Sequence, residues 1–450
     1  MLRFPSLRGW LSAAVIAACL LTLAPAQAQI TNDLLIGNAV SAPDSSRYSD
    51  VKEAIDRYGK KDIIGAQTFF ERAKSKNPKL PPVAVMMAKL HQLAGNAQAI
   101  RPALDECVSE APDDPEPYLI LAEEAVRAGF TIEADALYDK AVLLMEKFED
   151  NAKRKRDFAI RAYTGRTRIA QRRRKWDQAE SDLKKLLTED PECSNAHMAL
   201  GQVMFLVDPP RAEEGIKAFQ EAKKLNPDID HPYVSAGKTL ASQGKTEEAM
   251  KYFSGAYRNA KDDEGVALAY AQALLREGKG SEAAPVIKGA LAKNKDSASL
   301  WLLSAVEDRM RGDNPAAEQD LLKTISLAPT LGPAYEQLAQ VLIDSSDDET
   351  KKRALGFAAT CQKLNPNSAS ANITLAWTLY QNGQAREAVA ILQKLQMRNL
   401  DPDASLLLAK ILIENNQIDG AKKVLSTALE DTRNIFVNRD EATKLLSSLD

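Results

Sequence analysis

A short phrase of small and large apolar residues recurs along almost the whole chain. It consists of a polar residue, an alanine, three further residues, a large apolar residue and then another small or apolar one, as in Glu248-Ala249 with Phe253 and Ala256. This spacing places the apolar members on one face of a helix, because helical side chains three and four positions apart are neighbours. The phrase therefore predicts amphipathic helices rather than strands.

The first small residue of each phrase marks a regular period. Successive steps between these positions are 34, 34, 45, 36, 34, 34, 34, 37, 34 and 33 residues, so six of the ten equal 34. A fixed period of this length indicates a stack of helical hairpins, none of which can bury its apolar face alone. The marker positions are Ala66, Ile100, Ala134, Ala179, Gly215, Ala249, Ala283, Ala317, Ala354, Ala388 and Ala421.

The repeating unit resembles the tetratricopeptide repeat over residues 47–433. Its small first-helix residue, its turn glycine and its closing proline all have counterparts, for example Ala271, Gly278 and Pro329. The resemblance implies an all-α fold, a right-handed α-solenoid of about eleven antiparallel helix pairs wound into a superhelix. It also implies a scaffold that binds a segment of a partner protein in its concave groove, and not an enzyme.

The chain after the last repeat, residues 434–450, is predicted to form a C-terminal capping helix. Leu445, Leu446 and Leu449 would cover the apolar face of the final repeat. Asn438 and Glu441 have the spacing of a capping box, which predicts reciprocal hydrogen bonds at the start of that helix.

The first 28 residues have the pattern of a signal peptide, in which two arginines precede an apolar run and small residues follow. This pattern predicts an exported protein, periplasmic or envelope-associated, that is cleaved after Ala28. A lipoprotein acylated at Cys19 is the weaker alternative, because leucines continue the apolar run past that cysteine. Residues 29–46 are then expected to form a polar leader.

The composition changes this picture little and argues against a catalytic or metal-binding function. The chain of 450 residues has 59 basic and 62 acidic side chains, a formal net charge of −3, which gives no general reason to expect nucleic acid. Its three histidines, His91, His197 and His231, have neither metal-site spacing nor an obvious nucleophile, and His91 is expected to lie in the core. The sequence therefore predicts no catalytic residue, no cofactor and no metal site.

The strongest local concentration of charge coincides with the longest departure from the period. Eleven extra residues lie between Ala134 and Ala179, which predicts helices extended near residues 145–160. Residues 153–175, the basic segment, contain eleven basic side chains and one acidic one, a net charge of +10. One hypothesis is that this segment binds an anionic glycan or a membrane surface. The alternative is that it is a solvated helix without a partner.

In tetratricopeptide arrays certain first-helix positions face the concave groove. Carried over to this chain, these positions hold cations in several repeats and an aromatic pair near the far end. Arginines spaced by seven and four residues share one helix face and suit carboxylates or phosphates. The aromatic pair would either anchor a peptide side chain or pack between repeats. The predicted partner-binding residues are Arg161, Arg168, Arg172, Lys238, Arg276, Arg309, Trp377 and Tyr380.

Overall fold

A computed structural model describes residues 48–395 and 400–449 of the chain. The predicted signal peptide with Cys19 and the cleavage point after Ala28, and the predicted leader at residues 29–46, lie outside these residues. The described residues form helices and turns and contain no strand, which confirms the all-α solenoid. None of these helices combines the length and the apolar character that crossing a bilayer requires.

The chain divides after Ile229 into two compact units, which are described separately. Within the N-terminal unit, each first helix packs on the second helix that follows it, and the pairs then stack in order. The helices at the insertion are the longest there, with 17 residues in Thr131–Lys147 and 21 in Ala152–Arg172. The five pairs are α1 (Ser49–Gly59) with α2 (Ile63–Lys76), α3 (Val83–Leu93) with α4 (Ala97–Glu110), α5 (Pro115–Ala128) with α6 (Thr131–Lys147), α7 (Ala152–Arg172) with α8 (Trp176–Glu189), and α9 (Ser194–Leu206) with α10 (Ala212–Leu225).

The C-terminal unit continues the same pattern with six pairs and one final helix among the described residues. The pairs are α11 (Pro232–Ser242) with α12 (Thr246–Asn259), α13 (Glu264–Arg276) with α14 (Gly280–Lys293), α15 (Ala298–Arg311) with α16 (Asn314–Leu327), α17 (Gly332–Ile343) with α18 (Asp348–Leu364), α19 (Ala369–Gln381) with α20 (Ala385–Leu392), and α21 (Pro402–Glu414) with α22 (Ile418–Leu429). The final helix is α23 (Arg439–Ser448).

Small residues on the first helices set the distance between the paired helices. A Cβ atom added at Gly201 would lie 2.5 Å from Cδ1 of Phe219, and one added at Gly237 would lie 2.7 Å from Cε1 of Phe253. Both rings are buried. Each ring therefore fills the space that a side chain on the glycine would need, and this close packing supplies the stability that a single hairpin lacks.

The turn inside most pairs uses a residue in the left-handed backbone region. Gly129 and Gly312 adopt φ values of 83° and 82° there, which glycine does without steric cost. Arg174 and Asn416 occupy the same turn position with φ values of 56° and 57°. A side chain in this conformation costs energy, and less for asparagine than for arginine.

Helix α23 closes the C-terminal unit, and its three leucines pack against the apolar cluster of α21 and α22. The capping box predicted for its first turn is wrong. The side-chain amide of Asn438 donates to Oδ1 of Asp403, at 2.9 Å, and Glu441 forms an ion pair with Lys410, at 2.6 Å. Helix α23 is thus held by contacts with α21 rather than by hydrogen bonds to its own first turn.

Candidate partner-binding site

The most buried cation of the basic segment is Arg154, whose surface is only 6% exposed. Its Nη2 lies 2.9 Å from Oδ2 of Asp114 and 2.8 Å from Oε2 of Glu116. Its guanidinium carbon lies 5.2 Å from the ring centroid of Phe148 and 5.0 Å from that of Phe158. Arg154 is therefore an internal cation that holds α7 against the start of α5, and is not available to a partner.

Glu116, at the start of α5, is the centre of this charged network. It is 1% exposed and is surrounded by Lys89, Arg154 and Arg161. Burial alone would raise the pKa of Glu116, but the three cations outweigh burial and lower the pKa to about 2. Glu116 is accordingly ionised at neutral pH, and its charge balances cations from the two neighbouring first helices, Lys89 on α3 and Arg154 and Arg161 on α7.

Arg161, predicted to face the groove, is bound to its own chain. Its Nε and Nη2 donate to the two carboxylate oxygens of Glu123 on α5, at 2.8 and 3.1 Å. This is the bidentate geometry that makes an arginine–carboxylate pair strong. Although burial opposes it, the neighbouring carboxylates raise the pKa of Arg161 above its usual value. The first-helix face of the N-terminal unit is therefore in large part neutralised internally.

The remaining cations of the basic segment fall into two groups. Some bind carboxylates or carbonyls of adjacent helices, as Arg166 does with Asp182 at 3.2 Å and Arg156 with the carbonyl of Glu189 at 2.7 Å. The others are exposed, and their side chains form no ion pair or hydrogen bond with any described residue. This second group comprises Lys153, Arg168, Arg172, Arg174 and Lys175. Two predicted partner-binding residues, Arg168 and Arg172, thus remain accessible on one face of α7.

In the C-terminal unit the three predicted cations lie in different surroundings. Lys238 forms an exposed ion pair with Asp230, at 2.6 Å. Arg276 is exposed and makes no ion pair within the described part of the chain. Arg309 is only 9% exposed and its Nη1 donates to Oε1 of Gln340 on α17, at 3.1 Å. Arg276 is therefore the cation of this unit that an anionic group can reach most directly.

The predicted aromatic pair lies on α19. The rings of Trp377 and Tyr380 are stacked, with 4° between their planes, and the ammonium of Lys410 lies 5.6 Å from the Trp377 ring. Trp377 is 6% exposed, and its indole N–H has no hydrogen-bond partner among the described residues. Packing between repeats therefore accounts for most of the tryptophan surface, while Tyr380 remains half-buried.

Partly buried carboxyl groups that the sequence analysis did not single out lie near these residues. Burial raises the pKa of Glu336 to about 8, helped by the charges of Asp401 and Asp403 and opposed by a hydrogen bond from Thr374 and by Arg309. Burial also raises the pKa of Asp401 to about 6. The first-helix face of the C-terminal unit thus carries carboxyl groups that resist ionisation, unlike Glu116 in the N-terminal unit.

A short stretch of the chain itself lies against these helices. Residues 435–438, the internal segment, connect α22 to α23. Ile435 and Val437 pack against the apolar cluster of α13, α14 and α15, and Phe436 packs into the cluster of α21 to α23. The carboxylate of Asp403 accepts the backbone N–H of Val437 and that of Asn438, both at 3.0 Å. An acidic side chain of α21 thereby binds the main chain at the turn that leads into α23.

No metal-binding cluster of three or more ligating side chains occurs among the described residues. His91 is buried, as expected, and its Nδ1 lies 2.7 Å from the hydroxyl oxygen of Tyr58. Its role is a core contact between α1 and α3.

A family model described as "Tetratricopeptide repeat" matches residues 131–296, from α6 to the end of α14. The chain is a tetratricopeptide-repeat protein. A second family model, described as "Anaphase-promoting complex, cyclosome, subunit 3", matches residues 349–428 of the repeat array. No curated protein matches the chain. Tetratricopeptide-repeat proteins are in general protein–protein interaction scaffolds without catalytic activity.

Solved structures similar to this tetratricopeptide-repeat chain share little sequence with it. A tetratricopeptide repeat protein from Parabacteroides merdae is 15% identical, covers 57% of this chain and 98% of its own, and has a TM-score of 0.41. Yeast Tom70 is 13% identical, with coverages of 91% and 96% and a TM-score of 0.37. The Cut9–Hcn1 structure, described as an APC/C hetero-tetramer, is 13% identical, with coverages of 88% and 95% and a TM-score of 0.39.

Proposed function

We propose that this protein is an exported scaffold that binds an extended segment of a partner protein along its first helices. The observation that supports this proposal best is the internal segment, in which backbone N–H groups are bound by Asp403 on α21 and apolar side chains enter clusters of the array. A surface that binds one segment of chain through main-chain N–H groups has the chemistry to bind another.

The N-terminal unit offers a second part of this surface. Arg168 and Arg172 are four residues apart on α7 and accessible, and guanidinium groups pair with carboxylates through two parallel hydrogen bonds. We therefore propose that the part of the partner segment that reaches α7 is acidic.

Site-specific photo-crosslinking of the mature chain in envelope extracts tests this function. A photoreactive amino acid placed at Arg168 or Arg276, on first helices, is expected to crosslink to partner peptides that mass spectrometry then identifies. The matched control is Leu143, which is 60% exposed on the second helix α6. Equal yields at all three positions, or none at Arg168 and Arg276, would overturn the proposal.

An envelope-assembly role, in which the basic segment contacts an anionic membrane or glycan, is the second candidate. The observation in its favour is the group of five exposed cations, Lys153, Arg168, Arg172, Arg174 and Lys175. It is the weaker candidate because the other six of the eleven cations are paired within the protein. Binding to vesicles of anionic lipid that weakens steeply with salt, and is absent with neutral lipid, would favour it over the first.

Export is part of the proposal and has its own test. Mass spectrometry of the protein isolated from cells is expected to show a chain that begins at Gln29. A chain that begins at an acylated Cys19 would instead indicate a lipoprotein, and an intact residue 1 would count against export.

A further inference from the structure

The internal segment makes contacts that a connection between two helices does not need. Its side chains alternate, with Ile435 and Val437 in one apolar cluster and Phe436, 4% exposed, in the other. The segment is thus seated between two surfaces in the manner of a bound peptide.

These surfaces belong to distant parts of the C-terminal unit. Helix α15 lies in the eighth pair and α21 in the eleventh, and four extended residues span at most about 14 Å. Contacts with both helices therefore require that the first helices of this unit converge around the segment. The face that the groove positions were predicted to leave open is occupied here, and Val306, in the cluster that Ile435 and Val437 pack against, is only 9% exposed.

Asp403 is the group that fixes the segment. Its surface is 5% exposed, and it accepts three hydrogen bonds, from the backbone N–H of Val437, the backbone N–H of Asn438 and the side-chain amide of Asn438. A buried carboxylate is costly unless it is fully hydrogen-bonded. The two main-chain bonds would form with any segment that makes the same turn, whereas the third selects an amide side chain.

We propose that the internal segment occupies a peptide-binding site of the C-terminal unit as a built-in competitor. The partner segment that replaces it has the same chemistry: an aromatic residue with one branched apolar residue on each side, followed by asparagine. This inference rests on the proposed function and adds the specificity of one part of the surface. Since the internal segment is attached at both ends, its effective concentration is on the order of millimolar, and a partner binds only in proportion to the fraction of vacated sites.

A labelled peptide with the sequence of residues 433–440, added to the mature chain, tests the exchange. Ile435→Ser with Val437→Ser weakens the internal segment, so the Kd of the probe is expected to fall by about tenfold or more. The matched variant adds Asp403→Asn, which removes an acceptor from the site and is expected to abolish the gain. An unchanged Kd in the double variant, or a gain that survives Asp403→Asn, would overturn the proposal.

Because the double variant removes core contacts, a second measurement uses the unaltered chain. Saturating probe is expected to increase hydrogen exchange at the amides of Val437 and Asn438, which lose their acceptor when the segment leaves. Unchanged exchange at these two amides with the probe bound would contradict the competition. If the probe does not bind while crosslinks at Arg168 persist, this inference fails and the proposed function stands.

Discussion

The two units use the same repeat but differ in the chemistry of one face of their first helices. In the N-terminal unit this face consists of charged side chains, Lys89, Glu116, Glu123 and Arg161, that bind one another. In the C-terminal unit the internal segment instead packs against an apolar cluster of α13, α14 and α15. The repeat thus fixes where a side chain lies. The chemistry of that side chain decides whether it is neutralised by a neighbour, covered by another part of the chain or left for a partner.

Glu116→Gln is expected to have the largest effect, because it leaves the buried Arg154 without one of its carboxylates. Removing one member of a buried ionic network costs about 3–5 kcal/mol of unfolding free energy. The measurement is denaturant unfolding at neutral pH, followed through labelling of the buried thiol of Cys107 in a Cys193→Ser background. Burial raises the pKa of Cys107 to about 12, so this thiol reacts only when α4 opens.

Two controls accompany this change. Glu124→Gln alters an exposed pair with Arg127 and is expected to cost less than about 1 kcal/mol. The effect of Glu116→Gln is also expected to vanish as the pH falls from about 4.5 to about 2, because the wild-type carboxylate is then protonated too. An effect that persists at the lower pH would show that packing, and not charge, is responsible.

Glu336→Gln is expected to act in the opposite direction, in the C-terminal unit. Folding raises the pKa of Glu336 to about 8. Between pH 4.5 and 8 the folded protein therefore keeps a proton on Glu336 that the unfolded chain has released, so the free energy of unfolding falls as the pH rises from about 4.5 through 8. The neutral variant is expected to gain about 1–3 kcal/mol near pH 9 and little near pH 5. Labelling of Cys361, buried on α18, follows this unit, and a gain that is independent of pH would sink the explanation.

Arg174→Gly is expected to stabilise the N-terminal unit by about 0.5–1 kcal/mol, since it relieves a side chain in the left-handed region. Asn416→Gly is the matched change at the same turn position of the C-terminal unit. Its gain is expected to be a few tenths of a kcal/mol, because asparagine tolerates this conformation. Thermal melting compares the two, and a larger gain at Asn416 would contradict backbone strain as the cause.

Arg168→Glu with Arg172→Glu is expected to have the smallest effect on stability, below about 0.5 kcal/mol, because neither side chain has an ion-pair partner within the described residues. The same change is expected to abolish crosslinking of an acidic partner at a photoreactive residue in place of Gln171. Adding Arg161→Glu would place a third acid beside Glu116 and Glu123 and would confuse binding with unfolding. A loss of stability in the double variant would show that this face is structural.

The period of the apolar pattern was sufficient to predict the fold. Gly201 and the ring of Phe219 are in contact, as the repeat requires. Close packing leaves room for the ring only where the facing residue has no side chain. The pairing of the charges was missed, although a signal exists in the sequence. Arg154 and Glu116, Arg161 and Glu123, and Arg173 and Asp135 are each 38 residues apart. Opposite charges at one constant separation predict contacts between neighbouring hairpins.

The internal segment could not have been found in this way. Its contacts with α13, α15 and α21 depend on how tightly the C-terminal unit curves, and curvature is the sum of small rotations between repeats. The sequence near Asn438 instead suggested a capping box, because local spacing was the only information there. Whether Trp377 and Tyr380 anchor a peptide stays a prediction, since their stacking is compatible with either role.

The sign of the charge alternates from one first helix to the next in the N-terminal unit, and this alternation limits how such an array can evolve. Loss of the hairpin at residues 115–147 would bring Lys89 against Arg154 and Arg161, three cations without an acid between them. Duplication of the same hairpin would stack two copies of Glu116 and Glu123 side by side. Charge therefore fixes the order of the hairpins in this part of the N-terminal unit, even though all of them follow the same repeat.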